Sequence, residues 1–209
     1  MISNYASIIA DNLTTLYSRD LSERAAAAGA VLRDDVLSLR AFGADCLLSR
    51  QGITLDGRSE TGPVGIIVSL YALHASDAAC IPEPYKSFKQ LPGSMPYAGA
   101  FTNRSEQALV PSVEYLAAAR PTILAQFSGD EAPRSCAGDF AFVVRPLPKI
   151  ALCYLFYRAD EEFPASVTCL YASNAERFLP TDALADVGEY TSKAMLALAA
   201  GHRQRFSLT

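Results

Sequence analysis

Tyr5, Ile8, Ile9, Leu13 and Leu16 recur at helical spacing, which predicts an amphipathic helix ending near Tyr17. Asp20, with Glu23 three positions on, has the pattern of a capping box opening a second helix, so residues 2–28 read as helical. Gly29 is placed to stop the alanine run in a left-handed conformation. From Asp35 the period shortens: DVLSLRAF, DCLLSR and ITLD, punctuated by Gly43 and Gly52, predict two or three strands of a meander over 35–55. Pro63 after Gly62 suits the first position of a helix over 63–76, because its missing N–H has no intrahelical partner there. Asn103 with Glu106 predicts a helix over 103–127, kinked at Pro111 and restarted at Pro121. DFAFVVRP, KIALCYLFYR and SVTCLYAS predict three strands within 139–172, the middle one apolar enough to be central. Thr181 is the expected cap of a last helix over 181–200, with Leu184, Val187, Met195 and Leu198 on one side and Gly201 after it. Strands in runs between groups of helices favour an α+β fold with a largely antiparallel sheet. Without repeats or a linker-like stretch, residues 1–209 read as one domain.

Composition narrows the function classes. Half of the 209 residues are hydrophobic, which excludes a disordered chain, and a net charge of −4 lacks the basic field that nucleic acid requires. The first twenty residues lack the features of a secretory signal, and the apolar stretch from Thr61 to Ser76 is too short to span a bilayer, so a cytoplasmic protein is expected. Cys46, Cys80, Cys136, Cys153 and Cys169 are widely spaced and odd in number, the pattern of buried thiols rather than a metal centre.

Chemistry concentrates in two places. Tyr85, Phe88, Tyr97 and Phe101 punctuate a Pro- and Gly-rich stretch with little charge beyond Lys86 and Lys89; such a loop lines an apolar pocket or simply covers the core. Asp160, Glu161 and Glu162 lie between two predicted strands, where they are a solvated turn, caps for backbone amides, or a site for a cation or for acid–base work. Gly138-Asp139 at a strand entrance adds a fourth carboxylate, readable as turn chemistry or as a group at a cleft mouth. His74 follows Ile67 and Tyr71 at helical spacing and reads as a core histidine; His202, near Arg203 and Arg205, has no assigned role. The chain contains no G-x-S-x-G, Walker-type, G-x-G-x-x-G or H-E-x-x-H pattern.

The blocks SFKQLPGSMPYAGAF (Ser87 to Phe101) and GDFAFVVRPLPKIALCYLFYRADEEFPASVTCLYASNAERFLP (Gly138 to Pro180), with the closing helix, the helix opened by Asp20 and the FGADCLLS turn, resemble an uncharacterised prokaryotic family catalogued as domain of unknown function 3786. The most specific feature is the strand, the Asp160–Pro164 turn and the next strand, followed by Phe178-Leu179-Pro180. Ala172-Ser173 stand where members usually carry an acidic residue. The resemblance implies no activity, ligand or catalytic residue. Some relatives look like fusions to an iron–sulfur domain similar to that of corrinoid iron–sulfur methyl-transfer proteins, which implies anaerobic metal or one-carbon (corrinoid) metabolism. This chain lacks that cysteine cluster.

The expected function is a non-enzymatic binding or accessory module for an unidentified small molecule, cofactor or partner protein, with Tyr85, Phe88, Tyr97, Asp139, Asp160, Glu161 and Glu162 as ligand-binding candidates. The alternative is an enzyme using Asp139, Asp160, Glu161 or Glu162 as acid, base or metal ligand, which requires two of these carboxyls close together in a pocket. A third possibility is a homodimer through the apolar side of the last helix, which would make Leu184, Val187 and Leu198 subunit contacts.

Overall fold

The structure, a computed structural model, describes residues 4–206, with side chains to residue 201. Helix α1 (Asn4–Leu16) buries Ile9, Leu13 and Leu16, three of the positions that set its period. Helix α2 (Leu21–Ala28) starts where Asp20 accepts hydrogen bonds from the Ser22 and Glu23 amides and ends at Gly29, whose φ is 65°.

A five-stranded antiparallel sheet follows, β1 (Val31–Arg33), β2 (Val36–Ala41), β3 (Ala44–Ser49), β4 (Gly52–Leu55) and β5 (Arg58–Glu60), in sequential order. Three of its hairpins turn on two residues that both have positive φ: Asp34-Asp35, Phe42-Gly43 and Asp56-Gly57. That geometry matches the strand twist, which is why short meander strands can follow one another directly. The Phe42 amide donates to the Pro146 carbonyl at 2.7 Å, tying the second hairpin to the other sheet.

Helix α3 (Pro63–His74) leads into an irregular stretch containing β6 (Lys86–Ser87) and a 3-10 turn at Phe88–Gln90. A continuous coil then changes pitch: α4 (Ala98–Phe101), a π turn over Thr102–Glu106, a 3-10 turn over Gln107–Ser112, and α5 (Val113–Gln126). After β7 (Asp130–Glu131) come β8 (Phe140–Leu147), β9 (Ile150–Tyr157) and β10 (Ser166–Tyr171), and α6 (Thr181–Phe206) closes the chain. The second sheet is antiparallel with order β6-β10-β9-β8-β7, so β9 is central. One face of β9 (Ile150, Leu152, Tyr154, Phe156) belongs to a core shared with α1, α3, α5, α6 and the first sheet. Its other face (Ala151, Cys153, Leu155) lies in a small separate cluster. The fold is α+β with antiparallel sheets.

Five local expectations are corrected. Asn103 and Glu106 do not open a helix; Glu106 Oε1 instead accepts the Cys169 amide at 3.1 Å, a tertiary partner that outcompetes the cap. Pro121 sits inside α5 rather than restarting it, held there by burial of Leu116, Ala119 and Ile123; packing overrides propensity. The Thr181 hydroxyl donates to the Pro92 carbonyl at 2.7 Å, and its neighbour Asp182 accepts the Ala183 amide. Gly201 does not end α6, which continues to Phe206. His74 is exposed, because α3 ends there and its last turn leaves the core. What partial burial its ring keeps, then the charges of Arg19 and Arg24, hold its pKa below the ordinary value. The His202 side chain lies outside the described residues.

Candidate functional site

The aromatic stretch folds down and divides its rings between core and surface. Phe88 is buried and stacks on Phe101 with centroids 4.3 Å apart, and Tyr171 tilts against both. Tyr85 is half-buried against the small cluster on the far face of β9. Tyr97 is 40 % exposed. It lines a cleft of about 160 Å³ with Ala100, Phe101 and Arg104 on one side and Asp182, Ala185, Asp186 and Glu189 of α6 on the other.

The π turn presents Arg104 to α6. Its Nη1 lies 3.3 Å from Glu189 Oε2, and Lys193 Nζ lies 2.6 Å from Glu189 Oε1. The Glu189 side chain is 13 % exposed. Burial opposes its charge, but the bonds and charges of Lys193 and Arg104 prevail and bring its pKa below the ordinary value. Asp186, one turn earlier, makes no ion pair among the described residues. Partial burial in the cleft, then Glu189 and Asp182, push its carboxyl up against the lowering by Arg104 and Lys193. Much of the residue still meets water, which screens part of this repulsion.

A raised carboxyl adds its full share of stability below the unfolded pKa of about 3.9 and loses it as pH rises through the folded value. The gap between Asp186→Asn and wild type is therefore expected to shift in the variant's favour between about pH 3 and pH 7. Thermal unfolding across that range measures it; a gap that stays constant would show that the carboxyl is uncrowded.

The four carboxylates singled out in the sequence are all exposed. Asp160 Oδ1 accepts the Glu162 and Phe163 amides at 2.9 and 2.7 Å, closing its own turn, and these two bonds hold its pKa below the ordinary value. Asp139 Oδ2 accepts the Arg158 amide at 2.6 Å. Glu161 and Glu162 point from the same exposed turn. Of the aromatic candidates, Tyr97 alone lines the charged cleft.

Arg104, Asp182, Asp186 and Glu189 escape the sequence reading. Asp182, Asp186 and Glu189 are spaced i, i+4, i+7 along the last helix, a legible stripe, but that helix draws attention through its apolar side. Leu184 and Val187 on that side are buried in the core of the single chain.

A larger groove of about 410 Å³ runs between Val31, Ser38 and Arg40 and the Ser128–Arg145–Pro148 region. Its two arginines are already engaged, Arg40 with Asp45 at 2.6 Å and Arg145 with Asp130 at 2.6 Å. Among the described residues no helix is long and apolar enough to cross a membrane, and no three His, Cys, Asp or Glu are placed to hold a metal ion. No curated protein and no solved structure matches the chain. The model of one family matches residues 20–194, spanning both sheets and most of α6: the chain belongs to the family of the domain of unknown function DUF3786.

Proposed function

We propose that the protein is a non-enzymatic binding module whose ligand is a small molecule with a cationic group, held between Tyr97, Phe101 and the carboxylates of α6. The observation that carries this is Asp186, a carboxylate without an ion pair among the described residues, crowded by two others in a cleft with an aromatic wall. An ammonium or guanidinium entering there would relieve the repulsion and could rest against an aromatic face, an interaction of about 0.5–2 kcal/mol.

Size limits the ligand. Pockets that enclose drug-sized molecules run to roughly 300–1,000 Å³, so a cleft of about 160 Å³ accepts a small polar metabolite and not a whole corrinoid. If the module serves anaerobic metal or one-carbon metabolism, its ligand there is a small amine-bearing compound rather than the corrinoid itself.

n-Butylamine, butylguanidine and neutral butanol distinguish charge recognition from apolar contact. The two cations are expected to raise the melting temperature and butanol to leave it unchanged; Asp186→Asn is expected to weaken cation binding about tenfold, or about 1.4 kcal/mol. Equal responses to butanol and the cations, or cation binding unchanged in Asp186→Asn, would refute the reading.

A further inference from the structure

The outer face of the second sheet gathers three of the five free thiols. Cys136 and Cys153 are buried in its small cluster, and Cys80 and Tyr85 pack against them. Cys136 and Cys153 thus share one buried cluster, and after burial the neighbouring thiols push the Tyr85 hydroxyl's pKa up. Among the described residues these thiols are not part of any group of three or more His, Cys, Asp or Glu placed to hold a metal ion.

Their surroundings differ in rigidity. Cys153 is held in the central strand, paired with Val143 on one side and Leu170 on the other. Cys136 is 8 % exposed and sits in a turn closed by its own amide on the Pro133 carbonyl at 2.9 Å, with exposed Ser135 and Ala137 on either side. The covering segments meet where the Ser135 hydroxyl donates to Glu83 Oε2 at 2.7 Å, a single exposed bond. A cysteine fixed in a strand therefore shares its cluster with one on a turn, a chain segment that can adjust to disulfide geometry, which strands at both positions would resist.

We propose that Cys136 and Cys153 are an oxidation site, which a hydroperoxide converts to a disulfide stapling the 132–138 turn to β9. The Cys136 thiolate attacks a peroxide oxygen, the O–O bond breaks, and the departing oxygen takes a proton and leaves as water, giving the sulfenic acid. The Cys153 sulfur then attacks the Cys136 sulfur. The S–O bond breaks, and the departing hydroxide takes the Cys153 proton and leaves as a second water. Two thiols lose two electrons, and one hydrogen peroxide becomes two waters. Burial, then the neighbouring Cys136, push the Cys153 thiol up, which fits it to the second step and leaves the first to the residue nearer solvent.

The test is peptide mapping of the folded full chain treated with hydrogen peroxide and then alkylated under denaturing conditions. Alkylatable thiols are expected to fall from five to three, with one dithiothreitol-reversible linked peptide joining Cys136 to Cys153. Cys80→Ala is expected to keep that linkage, and Cys136→Ser to lose it without forming another. Wild-type mapping needs no variant to fold and decides the matter by itself. Five thiols still alkylated after peroxide, or a linkage made through Cys80, would overturn the proposal.

Discussion

Replacing Phe156 with alanine is expected to cost about 3–5 kcal/mol of stability, the range for truncating a buried aromatic, and to lower the melting temperature by roughly 6–20 °C in a chain of this size. Phe156 is fully buried on the central strand. Its ring stacks on Phe140 of β8, directly across the ladder, at 4.5 Å, and on Phe142 at 5.2 Å, with Tyr154 at 6.2 Å. Removing it leaves a cavity between neighbours that are themselves stacked on one another and can collapse only partly. Phe163, 65 % exposed at the β9–β10 turn, is the matched control, and its truncation is expected within about 0.5 kcal/mol of wild type. Urea or thermal unfolding of both variants measures the contrast. Equal losses would contradict the central placement of β9.

The contrast was legible in the sequence for a physical reason. IALCYLFY has no polar alternation, so a strand made of it must be covered on both faces, and only the middle of a sheet offers that. The Asp34-Asp35 and Asp56-Gly57 hairpins, which add β1 and β5 to the two or three strands expected over 35–55, escaped that reading, although their residue types tolerate the positive φ that two-residue turns require. Phe42 is different. Nothing in an aromatic side chain predicts a φ of 50°, and the conformation is held by the 2.7 Å bond from its amide to Pro146 and by Gln126, which donates to the Gly43 carbonyl. The coil over 98–112 escaped for a related reason. Its pitch is set by partners distant in sequence, such as the Cys169 amide that claims Glu106, and local capping patterns say nothing of those. The cleft inherits this limit: the carboxylate stripe of α6 is visible at helical spacing, whereas the arrival of Arg104 opposite it depends on the π turn. Rings raise the same difficulty. Phe88 and Tyr97 look alike as punctuation in one loop, yet one stacks in the core and the other lines the cleft.

Gly188→Ala is expected to destabilise by about 1–3 kcal/mol, the usual cost of overpacking, and to disturb the cleft as well. A side-chain carbon there would lie 2.5 Å from Phe101 Cε2, 2.8 Å from the Tyr171 hydroxyl and 3.0 Å from Ser105 Oγ. None of the three yields easily. Phe101 is stacked on Phe88, Tyr171 donates to the Leu184 carbonyl at 2.7 Å, and Ser105 is fully buried. Intrinsic propensity pulls the other way, since alanine is better than glycine inside a helix by about 1 kcal/mol, so the sign of the change reports whether the close approach exists. Gly201, with nothing within 4 Å of the same hypothetical carbon, isolates the propensity term, and Gly201→Ala is expected to be neutral or stabilising by up to about 1 kcal/mol. Because Phe101, which lines the cleft, packs directly on Gly188, Gly188→Ala is also expected to weaken butylguanidine binding, an effect Gly201→Ala should not share. A Gly188→Ala protein as stable as Gly201→Ala would mean that α6 and the π turn stand further apart, and the cleft between them would have to be redrawn.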